Sequence, residues 1–135
     1  MNNKIVEKLN EYDVVLNRAG RYGASVRSII TEEMSELIQA ISKMERSSLR
    51  LNDLHIQRHN TFNEEDRMEI TTKIEEVKGL RETEFEPNLS EEIADVIIAL
   101  YWIFKRYKVE ENDVIDWLEY KCNRMDERLG RGDFY

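Results

Sequence analysis

The sequence predicts an all-α protein, a bundle of about five helices whose core is completed by oligomerisation. A single Pro and five Gly leave long stretches of the chain without a helix breaker. Apolar residues recur at spacings of three and four along several segments, as on the buried faces of amphipathic helices. Charged residues make up 36% of the chain and hydrophobic residues 41%, which favours helices over strands. We therefore expect one helical domain spanning residues 1–135.

The predicted helices lie at about 3–17, 24–44, 63–80, 88–107 and 112–129. Gly20 marks the predicted end of the first helix. Residues 45–88 are more polar than their surroundings and resemble an insertion that carries one exposed helix. We expect Pro87 to stop this insertion and Asn88 to cap the next helix, because the Asn88–Glu91 spacing is that of a capping box.

Two short acidic clusters each open an apolar helical run: Glu-Glu-Met-Ser-Glu at 32–36 and Glu-Glu-Ile-Ala-Asp at 91–95. Residues three apart lie on one face of a helix, about 60° from each other. Glu33 therefore shares a face with Glu36, and Glu92 shares one with Asp95. In both helices these paired acids fall among the apolar side chains rather than opposite them.

Acids in such positions call for a compensating charge. An ionised carboxylate on an apolar face is costly unless it is paired or bound to a metal, and facing carboxylates repel one another unless a cation or a proton lies between them. Hard carboxylate oxygens suit Mg²⁺, with Mn²⁺ as a substitute. We predict a metal site formed by Glu33, Glu36, Glu92 and Asp95. The alternative is that they are acids at helix starts, favoured by the helix dipole.

Charge and composition exclude several classes of protein. A formal net charge of −8 disfavours a nucleic-acid binder, which normally presents a basic patch. The lone Cys122 cannot form an internal disulfide, and the first residues lack the apolar core of a signal peptide. The apolar run at 93–104 is shorter than the roughly 20 residues that a bilayer requires. We expect a cytoplasmic protein that does not enter membranes.

Cations line one face of the last predicted helix. Lys121, Arg124 and Arg128 fall within about 40° of Trp117 on the helix circumference. They are either solvated cations favoured by the negative end of the helix dipole or a phosphate clamp, in which Arg makes forked contacts with phosphate oxygens.

Histidines and aromatic residues give weaker signals. His55 and His59 have the spacing of a zinc pair on a helix, but no third or fourth ligand stands nearby, so surface residues are expected. Neither has an acid three residues before it, which excludes the Glu-x-x-His motif of a di-iron bundle. Tyr22, Tyr101 and Trp102 are candidates for stacking on a base, with core or subunit interface as the alternative.

These motifs together resemble a known family. The resemblance rests on Arg-Tyr-Gly at 21–23, Ile-Thr-Glu-Glu-Met-Ser-Glu-Leu-Ile-Gln-Ala at 30–40, Glu-Glu-Ile-Ala-Asp-Val at 91–96 and Tyr-Lys-Cys-Asn-Arg at 120–124. The pattern is similar to small bacterial and phage members of the MazG-like all-α nucleoside triphosphate pyrophosphohydrolases, the superfamily that also holds the dimeric dUTPases and the phosphoribosyl-ATP pyrophosphohydrolases. The resemblance covers about 20–43 and 89–129. Residues 37–91 separate the two acidic motifs, where the family usually has a short connection, which leaves the subfamily and the substrate open.

The resemblance implies a function. It implies hydrolysis of a nucleoside triphosphate at the α–β bond to a monophosphate and pyrophosphate, by a homodimer or homotetramer. It assigns Mg²⁺ to the four acids predicted above, with Glu32 and Glu33 as catalytic residues. Lys121, Asn123 and Arg124 resemble the family's late triphosphate contacts, and Arg128 lies on the same basic face. The alternative is a non-catalytic helical interaction module that retains this fold.

Overall fold

The computed structural model describes residues 3–22 and 25–132, which are almost entirely helical and contain no strand. The α-helices of this part of the chain are α1 (Asn3–Glu11), α2 (Asp13–Tyr22), α3 (Val26–His59), α4 (Glu64–Leu80), α5 (Glu86–Arg106) and α6 (Glu111–Gly130). A π-helical segment, Arg81–Phe85, joins α4 to α5. The all-α helical prediction is confirmed.

The contacts divide the chain into two compact units. One consists of Met1–Arg21 and Tyr101–Tyr135, and the other of Tyr22–Leu100. The first unit therefore holds α1, α2 up to Arg21, the C-terminal end of α5, and α6. The second holds α3, α4, the π-helical segment and most of α5.

The first predicted helix is two helices. α1 gives way to α2 at Tyr12, and α2 continues through Gly20 to Tyr22, so the prediction that Gly20 ends the helix was wrong. Asp13 lies in the first turn of α2, where an acid is favoured by the dipole. Glycine inside a helix costs only about 1 kcal/mol relative to Ala, so it does not stop one alone. Residues 23 and 24 lie outside the described residues.

α3 is far longer than predicted. It begins after Ser25, whose hydroxyl accepts a hydrogen bond from the Ser28 amide at 3.2 Å, and it runs for 34 residues to His59 rather than to residue 44. No Gly or Pro interrupts 26–59. The polar composition of 45–59 reflects a solvated face, which is compatible with a continuing helix.

α3 and α4 form an antiparallel hairpin. The short turn at 60–63 reverses the chain, and Asn63 caps α4 by accepting a hydrogen bond from the Asp66 amide at 3.2 Å. Leu54 of α3 and Ile74 of α4 are fully buried, so the hairpin has an apolar seam. The helix predicted at 63–80 is confirmed. The apparent insertion is thus made of the second half of α3, α4 and the π-helical segment.

Pro87 lies inside the first turn of α5. The prediction that it stops the preceding segment was therefore wrong. Proline lacks an amide hydrogen and clashes with the carbonyl four residues earlier. The π-helical segment directly before Pro87 adjusts the backbone at this point, and the Glu86 amide donates to the Arg81 carbonyl, five residues back. The helical path therefore runs from α4 into α5, and Asn88 is an interior residue rather than a cap.

In the other unit, Trp102 and α6 have contrasting environments. The indole Nε1 of Trp102 donates a hydrogen bond to the Leu16 carbonyl at 2.8 Å, which holds the C-terminal end of α5 against α2. α6 contains no buried residue. The helical spacing of its apolar residues predicts a buried stripe of Val114, Leu118, Cys122, Met125 and Leu129. That prediction was wrong for a single chain, in which none of the five is buried. Periodicity shows which residues share a face, but it does not show what covers that face.

Within the described ranges, none of the helices has the length and apolarity to cross a membrane.

Candidate metal centre

The four predicted metal ligands, two on α3 and two on α5, lie close together. One carboxylate oxygen from each of Glu33, Glu36, Glu92 and Asp95 lies within 4.8 Å of the other three. Glu33 and Glu36 come from α3, and Glu92 and Asp95 come from α5. Each helix contributes a pair spaced by three, as the sequence predicts, and the two pairs face each other.

The two acidic motifs lie close together although a long segment of chain connects them. Residues 37–59 lead outward along α3, and residues 64–91 return along α4, the π-helical segment and the start of α5. Because the outgoing and returning paths run antiparallel, the second motif ends beside the first. An insertion built as a hairpin can lengthen the chain without moving the acids apart.

Two oxygens of the cluster are without solvent and without a hydrogen-bond partner among the described residues. They are Oε2 of Glu33 and Oε2 of Glu92, one from each helix. An unsatisfied buried acceptor is costly, and more so when it carries charge. The two oxygens therefore favour a cation or a proton in the space between the helices.

The pKa values of Glu33 and Glu92 are both raised, which means that the negative charge of each carboxylate is disfavoured. The pKa of Glu33 is raised above its ordinary 4.5, first by loss of solvation and then by the negative charges of Asp95, Glu36 and Glu32. The pKa of Glu92 is also raised above 4.5, by loss of solvation, by the charge and a hydrogen bond of Glu36, and by the charges of Asp95 and Glu91. Mutual repulsion across the hairpin therefore opposes full ionisation of the cluster.

The size and chemistry of the cluster fit one divalent cation. Oxygen ligands on opposite sides of Mg²⁺ are about 4.2 Å apart, and those around Ca²⁺ reach about 5 Å, from metal–oxygen distances of about 2.1 and 2.3–2.6 Å. Oxygens that all lie within 4.8 Å of one another therefore need only small movements to close on such an ion. The donor set consists entirely of carboxylates, which favours hard cations over zinc or copper.

Glu32 lies next to the cluster but outside it. Its charge contributes to the raised pKa of Glu33, and its side chain is exposed. It lines an open depression at the start of α3 together with Ser25, Arg27, Ser28, Thr31 and Ser35. The sequence interpretation missed this hydroxyl-rich surface, whose signal is the recurrence of Ser and Thr at helical spacing from 25 to 35. The catalytic role of Glu32 stays a prediction.

The predicted phosphate ligands belong to α6, in the unit that contains the chain ends. Lys121, Asn123 and Arg124 are exposed, and Arg128 is half-buried. Asn123 is rotated about 100° from Arg124 around the helix and so does not share the face of the cations. Their role in binding phosphate stays a prediction.

The remaining candidates have local roles in the described structure. His55 and His59 are exposed on α3, and the Nδ1 atom of His55 lies 3.2 Å from Nη2 of Arg58. The indole N–H of Trp102 donates a hydrogen bond to the Leu16 carbonyl. Nζ of Lys105 lies 5.3 Å from the centroid of the Tyr101 ring. The side chain of Tyr22 lies outside the described residues. An exposed edge-to-face pair, Trp117 and Tyr120 at 5.8 Å, was not singled out by the sequence.

Comparison of the chain with protein-family models, with curated proteins and with solved structures gives no match.

Proposed function

We propose that this protein is a Mg²⁺-dependent nucleoside triphosphate pyrophosphohydrolase of the MazG-like all-α kind. The observation that carries the proposal is the meeting of Glu33, Glu36, Glu92 and Asp95 across an antiparallel helix pair. The oxygen donors, dimensions and uncompensated charge of this cluster support a site for a hard divalent cation such as Mg²⁺.

The four acids would hold the cation, which would supply positive charge to offset the charge of a bound triphosphate. Carboxylate oxygens are ligands that suit Mg²⁺. The exposed carboxylate of Glu32 is adjacent to Glu33 and accepts the proton of the attacking water.

The bonds change as follows. The water oxygen forms a bond to the α-phosphorus, and the bond from that phosphorus to the α–β bridging oxygen breaks. The bridging oxygen leaves with pyrophosphate, and the new oxygen remains on the nucleoside monophosphate. By the family resemblance, Lys121, Arg124 and Arg128 would supply positive charge for the departing pyrophosphate, with Asn123 as a further polar contact.

The proposal includes a homodimer or homotetramer. Within the described residues, the second unit exposes apolar side chains beside the acids, including Met34 and Ile38 of α3 and Ile93 of α5. An apolar surface of this kind is typical of a helical bundle that is completed by another subunit.

A non-catalytic helical module is the alternative. Its support is the same exposed apolar surface. Against it stand the acids themselves, because a protein released from catalysis gains stability when buried charges are replaced by apolar residues.

The position of bond cleavage tests the proposed reaction. The protein is incubated with Mg²⁺ and each of the standard ribo- and deoxyribonucleoside triphosphates in ¹⁸O-labelled water, and the products are resolved by ³¹P NMR. The proposal predicts that the label enters the monophosphate and not pyrophosphate. Release of inorganic phosphate and a diphosphate would contradict cleavage at the α–β bond. Glu45→Gln is a matched control, because Glu45 is an exposed acid of α3 outside the cluster.

A further inference from the structure

α6 carries an apolar stripe that is open to solvent. Ile115, Leu118, Met125 and Leu129 are between 42% and 57% exposed, and Cys122 is also exposed. With Val114, these residues fall within about 100° of one another around the helix. An open stripe of this extent on a 20-residue helix, about 30 Å long, is typical of a helix that packs against a partner.

The order of residues in the stripe is nearly the same in both directions. Leu118 and Met125 are equally far along the chain from the point between Lys121 and Cys122, and so are Val114 and Leu129. Two copies of α6 that run in opposite directions and cross at Cys122 therefore place Leu118 against Met125, and Val114 against Leu129. These four apolar side chains then meet one another across the pair of helices.

The charges of α6 select the same direction. The N-terminal half of the helix carries acids and no cation: Glu111, Asp113, Asp116 and Glu119. The C-terminal half holds all three cations of the helix, Lys121, Arg124 and Arg128, together with the acids Asp126 and Glu127, so its net charge is +1 against −4 in the N-terminal half. Two parallel copies would bring the acidic halves together, whereas two antiparallel copies bring each acidic half beside a half that carries cations. Antiparallel helix dipoles add to this preference.

We propose that α6 pairs in the antiparallel direction with α6 of a second copy of this chain, about a two-fold axis beside Cys122. The partner is a second copy because the apolar order and the charge distribution of this helix complement the helix itself. The contact uses the apolar stripe and leaves the face of Arg124 and Arg128 outside it. The inference goes beyond the proposed function and does not depend on it.

Disulfide cross-linking tests the direction and register. In a Cys122→Ser background, Leu118→Cys and Met125→Cys are made separately, and each is oxidised alone and as an equal mixture. Antiparallel pairing predicts a disulfide between the two variants in the mixture and little cross-linking of either variant alone. Efficient cross-linking of Leu118→Cys with itself would show parallel pairing and overturn the proposal. So would the lack of any cross-link in all three samples.

A substitution pair tests whether the stripe holds the copies together. Leu118 and Tyr120 are both 56% exposed on α6 but lie on opposite sides of the helix. Leu118→Asp is expected to weaken self-association about tenfold or more in sedimentation equilibrium, since it places a charge in an apolar contact. Tyr120→Asp is expected to leave association unchanged. Equal effects of the two substitutions, or no effect of Leu118→Asp, would overturn the proposal.

Discussion

Glu33 of α3 and Asp95 of α5 lie far apart in the chain, yet each has a carboxylate oxygen within 4.8 Å of the other. The charge of Asp95 raises the pKa of Glu33, so the two residues are electrostatically coupled. A like-charge pair at this distance lowers the stability of the fold unless something compensates it. The hairpin of α3 with α4 and α5 holds the pair together in spite of this repulsion.

Neutralising one acid of the cluster is expected to separate function from stability. Glu36→Gln removes a charge that acts on both Glu33 and Glu92. It should abolish Mg²⁺-dependent turnover, leave the helical circular dichroism spectrum unchanged and raise the melting temperature without metal. Asp95→Asn should behave likewise. Glu45→Gln is the control, and activity retained in either cluster variant would remove these acids from the reaction.

The stability of the metal-free protein should depend on pH through Glu33 and Glu92. Their pKa values are raised from 4.5 in the folded protein, so above pH 4.5 the folded state holds more protons than the unfolded state. The contribution of these groups to stability is therefore complete below pH 4.5 and is lost as the pH rises through the raised values. Urea unfolding at a series of pH values measures this loss. Glu36→Gln should reduce the slope, as should saturating Mg²⁺, and an identical slope in all three samples would contradict the coupling.

The hairpin seam should depend on Leu54 much more than on a neighbouring leucine. Leu54 is fully buried, whereas Leu49 of the same helix is 66% exposed. Leu54→Ala is expected to lower the free energy of unfolding by about 2–5 kcal/mol, from lost apolar contact and the cavity left behind. Leu49→Ala should change it by less than about 0.5 kcal/mol. Chemical denaturation measures both, and similar losses would show that α3 and α4 are not packed through Leu54.

The hydrogen bond from Trp102 to the Leu16 carbonyl should contribute measurably to the unit that contains α2 and the end of α5. Trp102→Phe removes the donor but keeps an aromatic ring, so a loss of about 1 kcal/mol is expected. Trp117→Phe is the matched control, because Trp117 is 62% exposed. If thermal unfolding shows equal effects of the two substitutions, the Trp102 bond does not hold α5 against α2.

The cations of α6 should contribute more to binding of the triphosphate than to binding of the metal. The double substitution Lys121→Ala with Arg124→Ala is expected to raise KM for the nucleotide about tenfold or more, since each contact to a phosphate oxygen is charge-assisted. The Mg²⁺ dependence of the reaction should stay the same. Lys73→Ala, which removes a cation from α4, is the control. An unchanged KM in the double variant would show that these residues are solvated cations that do not contact the triphosphate.

The sequence predicted which acids share a helix face, because the spacing that decides this is local. Spacing by three places Glu33 with Glu36, and Glu92 with Asp95, on one face of any helix that contains them. The length of α3 could not be predicted in the same way, since no Gly or Pro marks its end and the packing of Leu54 against α4 stabilises the second half. Pro87 misled the prediction because a π-helical segment accommodates it. The periodicity of α6 correctly identifies the residues that share its apolar face. It does not show whether another helix or subunit covers that face.

We propose that the carboxylates of Glu33, Glu36, Glu92 and Asp95 form a magnesium centre at which nucleoside triphosphates are cleaved. The decisive experiment measures pyrophosphate release with and without Mg²⁺ across the standard ribo- and deoxyribonucleoside triphosphates and dUTP. We expect Mg²⁺-dependent release of pyrophosphate and a monophosphate from at least one nucleotide, and no release by Glu36→Gln. No release from any nucleotide by folded wild-type protein, or equal release without Mg²⁺, would contradict it.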